Sequence, residues 1–112
     1  MTHNDSIKSK RQKLREQLIR IQDHDPIIKA RNIGPIVSRE LESLSVRTYG
    51  ELRKMGWQKT YALWVAAYPK RHHLMAAYAL LGAFLHKDLL TLSQKEKEDC
   101  KLFHQSIMPK SS

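Results

Sequence analysis

The sequence predicts an all-α fold: a compact helical domain with a helix-hairpin-helix-like element, preceded by a basic N-terminal helix. Three observations carry this expectation. Apolar residues recur at i, i+4 and i+7 along most of the chain, the spacing of one helix face, and no stretch alternates with the period of two that a strand needs. Residues that start and stop helices punctuate those stretches. Four glycines and four prolines in 112 residues leave little turn material for an all-β fold. A chain of this length makes one domain and buries roughly two-thirds of the surface it exposes when unfolded. That excludes a two-domain enzyme built around an interdomain cleft. A composition of 41% hydrophobic and 28% charged residues suits a folded domain rather than a disordered one.

Six helical segments are expected, in the following order. Residues 1–29 form a basic arm, in which Lys8, Lys10, Arg11, Lys13, Arg15 and Arg20 crowd around a narrow stripe of Ile7, Leu14, Leu18 and Ile21. The run Asp23-His24-Asp25-Pro26 breaks it. The arm either lies along phosphate or a partner helix, or docks its leucines on the main domain. Residues 30–108 form that domain, and residues 109–112 a disordered tail. Gly34 is placed as an N-cap with Pro35 at the first helical position, where its missing N–H costs nothing. Val37, Leu41 and Leu44 then define a helix of about nine residues. Thr48-Tyr49-Gly50-Glu51 matches a capping box and opens a helix with Leu52 and Met55 inward, closed at Gly56. Trp57, Tyr61, Trp64 and Tyr68 recur along one face of the next. Such a stripe can stack bases, but aromatics are the largest apolar surface a small domain can bury, so a core role is expected. Pro69 ends this helix and opens another, whose stripe is Leu74, Tyr78, Leu81 and Leu85 beside alanines and Gly82. Its lack of polar residues predicts a central helix closely approached by its neighbours. Ser93-Gln94-Lys95-Glu96 is a second capping box, and the last helix turns Cys100, Phe103 and Ile107 inward before Pro109.

The formal net charge of +9 favours anionic partners, nucleic acid first and a membrane surface second. The arm lacks the Trp or Phe that membrane-surface helices favour, and the apolar run Leu74–Leu85 is short of the roughly twenty residues of a membrane span, so no membrane role is expected. A single cysteine forms no internal disulfide, and residues 1–13 lack the apolar core of a signal peptide, so a cytoplasmic protein is expected. Cys100 and His104 stand at i, i+4, with His72, His73 and His86 elsewhere, and no metal-ligand spacing is present. Cys100 is expected in the core and His104 on the surface, with no metal and no cofactor. No nucleophile elbow, glycine-rich phosphate loop or paired acids stand out, and Glu40 and Glu42 face different ways, so no enzyme is expected.

Asn32-Ile33-Gly34-Pro35, then Leu44-Ser45-Val46-Arg47-Thr48, Glu51-Leu52-Arg53 and Gly56, resemble the C-terminal domain of the TfoX/Sxy competence-regulator family. The run Tyr78-Ala79-Leu80-Leu81-Gly82-Ala83, followed by His86, Asp88 and Leu89, is similar to a second block of that family. The resemblance spans residues 30–103. It implies an all-helical domain related to helix-hairpin-helix modules, in a bacterial protein of DNA transformation or its regulation. Ser45 and Asn32 stand where glycine is often found, and asparagine tolerates positive φ better than most residues.

The expected site is the hairpin. Gly34 gives a phosphate close access to a helix N-terminus, and Lys29, Arg31 and Arg39 supply charge around Asn32. Pro35 removes one donor from the set. Arg47 and the arm's Lys10, Arg11 and Lys13 complete the DNA-binding set, if all lie on one continuous face. The expected function is a DNA-binding or transcription-linked accessory protein that contacts mainly the phosphate backbone, without sequence specificity. The alternative is an adaptor that binds RNA polymerase or a DNA-binding regulator with little or no DNA contact, through an exposed apolar patch.

Overall fold

The computed structural model describes residues 21–107. Five α-helices follow one another: α1 (Pro35–Ser43), α2 (Tyr49–Met55), α3 (Trp57–Ala67), α4 (Leu74–Leu85) and α5 (Gln94–Ser106). Short 3-10 turns at Ile27–Lys29, Pro69–Arg71 and Leu89–Thr91 precede α1, α4 and α5. Among the described residues there is no strand, and one isolated antiparallel bridge joins Pro26 to Thr48. The fold is all-α.

The helix boundaries follow local chemistry. Gly34 caps α1 with an extended φ of −96°, and Pro35 occupies the first helical position. At α2, Thr48 Oγ1 accepts from the Glu51 N–H at 3.2 Å while Glu51 Oε1 accepts from the Thr48 N–H at 3.1 Å. Ser93 and Glu96 form the same reciprocal box at α5. Gly56, at φ +89°, alone separates α2 from α3, a turn that the left-handed tolerance of glycine permits. Pro69 does end the aromatic helix, but it opens only a 3-10 turn. Helix α4 starts later, at Leu74, where His73 Nδ1 accepts from the Met75 N–H at 3.1 Å.

The core gathers Ile27, Leu41, Val46, Leu52, Tyr61 and Leu80, all fully buried. Tyr61 and Trp64 bury the aromatic stripe in it, with Trp57 and Tyr68 half-buried at its ends. On α4 the expected stripe is displaced. The buried residues are Ala77, Leu80, Leu81, Gly82 and Ala83, while Leu85 is 41% exposed. A helix apolar on every side carries no periodic signal, and close approach selected its small residues instead. A Cβ on Gly82 would lie 2.5 Å from Asn32 Nδ2 and 2.7 Å from the Lys87 carbonyl oxygen, so only glycine fits that approach.

The segment before residue 30 belongs to the domain further back than the sequence suggested. Ile27 is fully buried and its N–H donates to the Arg47 carbonyl at 2.9 Å. The Tyr49 and Gly50 N–H groups donate to the carbonyls of Asp25 and Asp23, at 2.9 and 2.8 Å. The expected basic helix, with Lys10, Arg11 and Lys13, and the expected tail lie outside the described residues; of the Leu14, Leu18 and Ile21 stripe, Ile21 is described and packs half-buried on the core.

Candidate nucleic-acid interface

The hairpin before α1 is shaped by Asn32. Its φ is +70°, in the left-handed region, and its side chain is fully engaged inside the domain. Nδ2 donates to the Ala79 and Lys87 carbonyls at 3.2 and 3.0 Å, and Oδ1 accepts from the Leu89 N–H at 3.2 Å. Asn32 therefore ties the hairpin to the end of α4, and its amide has no donor left for a ligand. Ser45, the other residue standing for a glycine, also sits at positive φ, +71°.

Around this turn the expected cations are exposed. Lys29 closes the first 3-10 turn, and Arg31 reaches Asp88 at 3.9 Å, a long pair between half-exposed side chains that adds little stability. Gly34 has open space where a side chain would stand, within 4 Å of nothing. Arg39 lies midway along α1, on the exposed side shared with Ile36 and Ser43. Arg47 is exposed, and its carbonyl receives the Ile27 N–H, which brings the Lys29–Arg31 turn and the α1–α2 connector side by side. The Lys29–Arg31 turn thus adjoins the connector that carries Arg47, Gly34 follows that turn in the chain, and Arg39 stands on the exposed side of α1.

Three polar constellations were not legible in the sequence. Glu40 Oε1 accepts from Trp64 Nε1 and from Arg71 Nε, both at 2.8 Å, and Oε2 accepts from Arg71 Nη2 at 3.0 Å. The Arg71 fork holds the Glu40 carboxyl below its ordinary value, and the guanidinium also lies 5.6 Å from the Trp64 ring centroid. This tie fastens α1 to α3 and removes Arg71 from any anion-binding role.

The second is an imidazole stack. His72 lies on His104 with centroids 4.1 Å apart and an interplanar angle of 18°. His104 Nδ1 is 2.7 Å from the buried Tyr61 hydroxyl, and His72 Nε2 is 3.2 Å from the His104 carbonyl oxygen. His104 is therefore half-buried and bonded, not the surface residue expected, and His72 is its neighbour rather than remote. Burial, then His72 and His73, lower its proton affinity. Among the described residues no group of three or more His, Cys, Asp or Glu side chains is placed to hold a metal. Cys100 is buried as expected, its thiol pushed up to about 12 by burial and by Asp99 and Glu96.

The third is His86, left-handed at φ +55° after α4, with both ring nitrogens buried and unpartnered. Its ring meets Tyr49 edge-on at 6.0 Å. Burial, and secondarily Arg31, lowers its proton affinity, so the ring is neutral at neutral pH.

No protein-family model matches the chain, and no curated protein matches it. Among solved structures it is similar to an uncharacterized protein from Listeria monocytogenes, crystallised in a triclinic form. The two share 24% sequence identity and a TM-score of 0.69, over 73% of this chain and 92% of that one. At this identity the likeness concerns the fold. No helix of the described residues is long and apolar enough to cross a membrane.

Proposed function

We propose that this chain is a non-enzymatic DNA-binding or transcription-linked accessory protein, of the type its resemblance to competence regulators implies, which grips mainly the phosphate backbone. One observation carries the reading. Of the thirteen lysines and arginines between residues 21 and 107, nine have no acidic partner among the described residues: Lys29, Arg39, Arg47, Lys54, Lys59, Lys70, Lys95, Lys97 and Lys101. Without acidic partners among the described residues, these cations together leave an unneutralised positive field that draws phosphate, and six more cations stand in residues 1–20. In this reading Lys29 and Arg31 in the turn before Gly34, Arg47 on the adjoining connector and Arg39 on α1 supply the charge, while Asn32 acts by holding the turn in shape.

The adaptor reading asks for an exposed apolar surface. Burial of Tyr61 and Trp64 removes the centre of the aromatic stripe from that role. Ile36, Leu90 and Leu102, 66%, 78% and 68% exposed, stand on α1, the last 3-10 turn and α5 rather than on one element. Titrating binding of the full chain to an unrelated DNA duplex against salt separates the two. Neutralising about four or five phosphates gives a slope of log K against log salt of roughly −4. A slope near zero, or no binding at low salt, favours the adaptor.

A further inference from the structure

We infer a second phosphate-binding surface, on the flank of α2, where Lys54 and Lys59 border a hollow between the α1–α2 connector and the start of α3. The inference rests on the DNA-binding reading and extends it to a surface remote in sequence from the Gly34 hairpin.

The hollow measures about 280 Å³ and is lined by Ser45, Glu51, Lys54, Met55 and Lys59. It is open to solvent rather than enclosed, so a phosphodiester group can reach it. Both lysines are exposed, and neither has an ionic partner among the described residues. The acid on the rim, Glu51, is already engaged, since its Oε1 accepts from the backbone N–H groups of Arg47 at 2.6 Å and Thr48 at 3.1 Å. That bond also sets Arg47 beside the rim. Among the lining residues one committed carboxylate therefore faces two cations, and the local field is positive.

The spread of exposed charge along α2 and into α3 points to an extended polyanion rather than a small ion. Residues 23–25 lie against the first turn of α2, where a Cβ on Gly50 would stand 2.8 Å from Asp23 Cβ. Arg53 approaches Asp23 at 3.8 Å on the same side. Lys54 is the next residue of that helix, about 100° around it. A duplex backbone, with a charge every 3.4 Å along each strand, can meet Lys54 and Lys59 at once.

The test compares charge reversals in the full chain, with fluorescence anisotropy on a labelled DNA duplex at low salt. Lys54→Glu with Lys59→Glu is set against Lys95→Glu with Lys101→Glu, two exposed α5 lysines giving the same change in net charge. The inference expects the α2–α3 pair to weaken binding at least tenfold and to reduce the salt slope by about 2, with less than a threefold loss for the α5 pair. Lys54→Gln with Lys59→Gln, which adds no repulsion, should fall between. Equal losses for the two reversals, or none for the α2–α3 pair while the parent binds, overturn this surface and leave the DNA reading standing. A parent that binds acidic polypeptide but not DNA at low salt overturns both.

Discussion

Two polar junctions hold the helices of this protein together, and they are built on opposite principles. At one, Glu40 joins α1 to α3 through charge: a carboxylate, an Arg71 fork and the Trp64 indole, with both carboxylate oxygens paired. At the other, the hairpin meets the end of α4 through the neutral Asn32 amide, beside Gly82 and an imidazole with no partner for either nitrogen. The charged junction is closed to ligands because its cation is consumed. The neutral one consumes no cation itself: Lys29 and Arg47 have no acidic partner among the described residues, Arg31 meets Asp88 only at 3.9 Å, and the proposed interface gathers there. Holding a loop with an uncharged side chain keeps the surrounding positive field for a partner.

Breaking each junction should show the difference, with the larger effect at Asn32. Asn32→Ala removes three hydrogen bonds to backbone groups and places an L-residue without a polar side chain at φ +70°. At about 1 kcal/mol per bond and 1–2 kcal/mol for the left-handed backbone, the loss should reach about 4–5 kcal/mol. Asn32→Gly keeps the backbone freedom and should lose less, so the difference between the variants isolates the φ cost. Glu40→Gln retains an acceptor for Trp64 and should cost about 1–2 kcal/mol. Denaturant unfolding of the three variants measures all of this. Equal losses for Asn32→Ala and Glu40→Gln would mean that the hairpin is not held as described.

The junctions should also part company in acid. The folded state keeps His86 neutral by burial and by Arg31, and His104 neutral by burial and by His72 and His73. Both are depressed below their ordinary 6.5, so the unfolded chain takes up these protons first as pH falls through that value. Stability should therefore fall below about pH 6.5, by at most about 1.4 kcal/mol per pH unit for each histidine, and level off once the folded values are passed. Glu40 is depressed as well, but for a carboxylate this stabilises the fold above its ordinary 4.5, and that contribution is lost only as pH falls below it. The histidine sites should soften first. Thermal melts from pH 7.5 to 5 should flatten in part in His86→Asn, which suits the left-handed backbone, and in part in His104→Gln. A parent with no slope between pH 6.5 and 5 would contradict the burial of both rings.

These contrasts mark what the sequence could convey. Helix limits were legible because caps are local: Thr48 with Glu51, Ser93 with Glu96, Pro35 after Gly34, and Gly56 each act within one turn. The left-handed turn at Asn32 was legible because asparagine is one of few residues that enter that region cheaply. What Asn32 bonds to was not, since its partners lie 47 to 57 residues away. Separations of 31 and 32 residues likewise hid Glu40 from Arg71 and His72 from His104. On α4, uniform apolarity erased the periodic signal altogether. For the candidate site, residue type identified the cations, but which of them would find acidic partners was a matter of folding: Arg71 was captured and Lys54 was not.

The smallest expected change in stability tests the functional reading most directly. Gly34 sits at φ −96° with nothing within 4 Å of a built Cβ, so a side chain there meets neither strain nor clash. Aspartate is also a good N-cap, and Gly34→Asp should alter stability by no more than a few tenths of a kcal/mol, in the stabilising direction. The same carboxylate would occupy the approach to the first turn of α1 and repel phosphate beside Arg31 and Arg39. Binding to a DNA duplex should weaken by about 1–2 kcal/mol, the scale of one charge-assisted hydrogen bond. Arg39→Glu should weaken it too, with unchanged unfolding, because that side chain is exposed on α1. A Gly34→Asp protein that melts like the parent and binds DNA equally well would reduce the hairpin to a structural turn. The α2 flank and the arm would then be left as the surfaces that meet DNA.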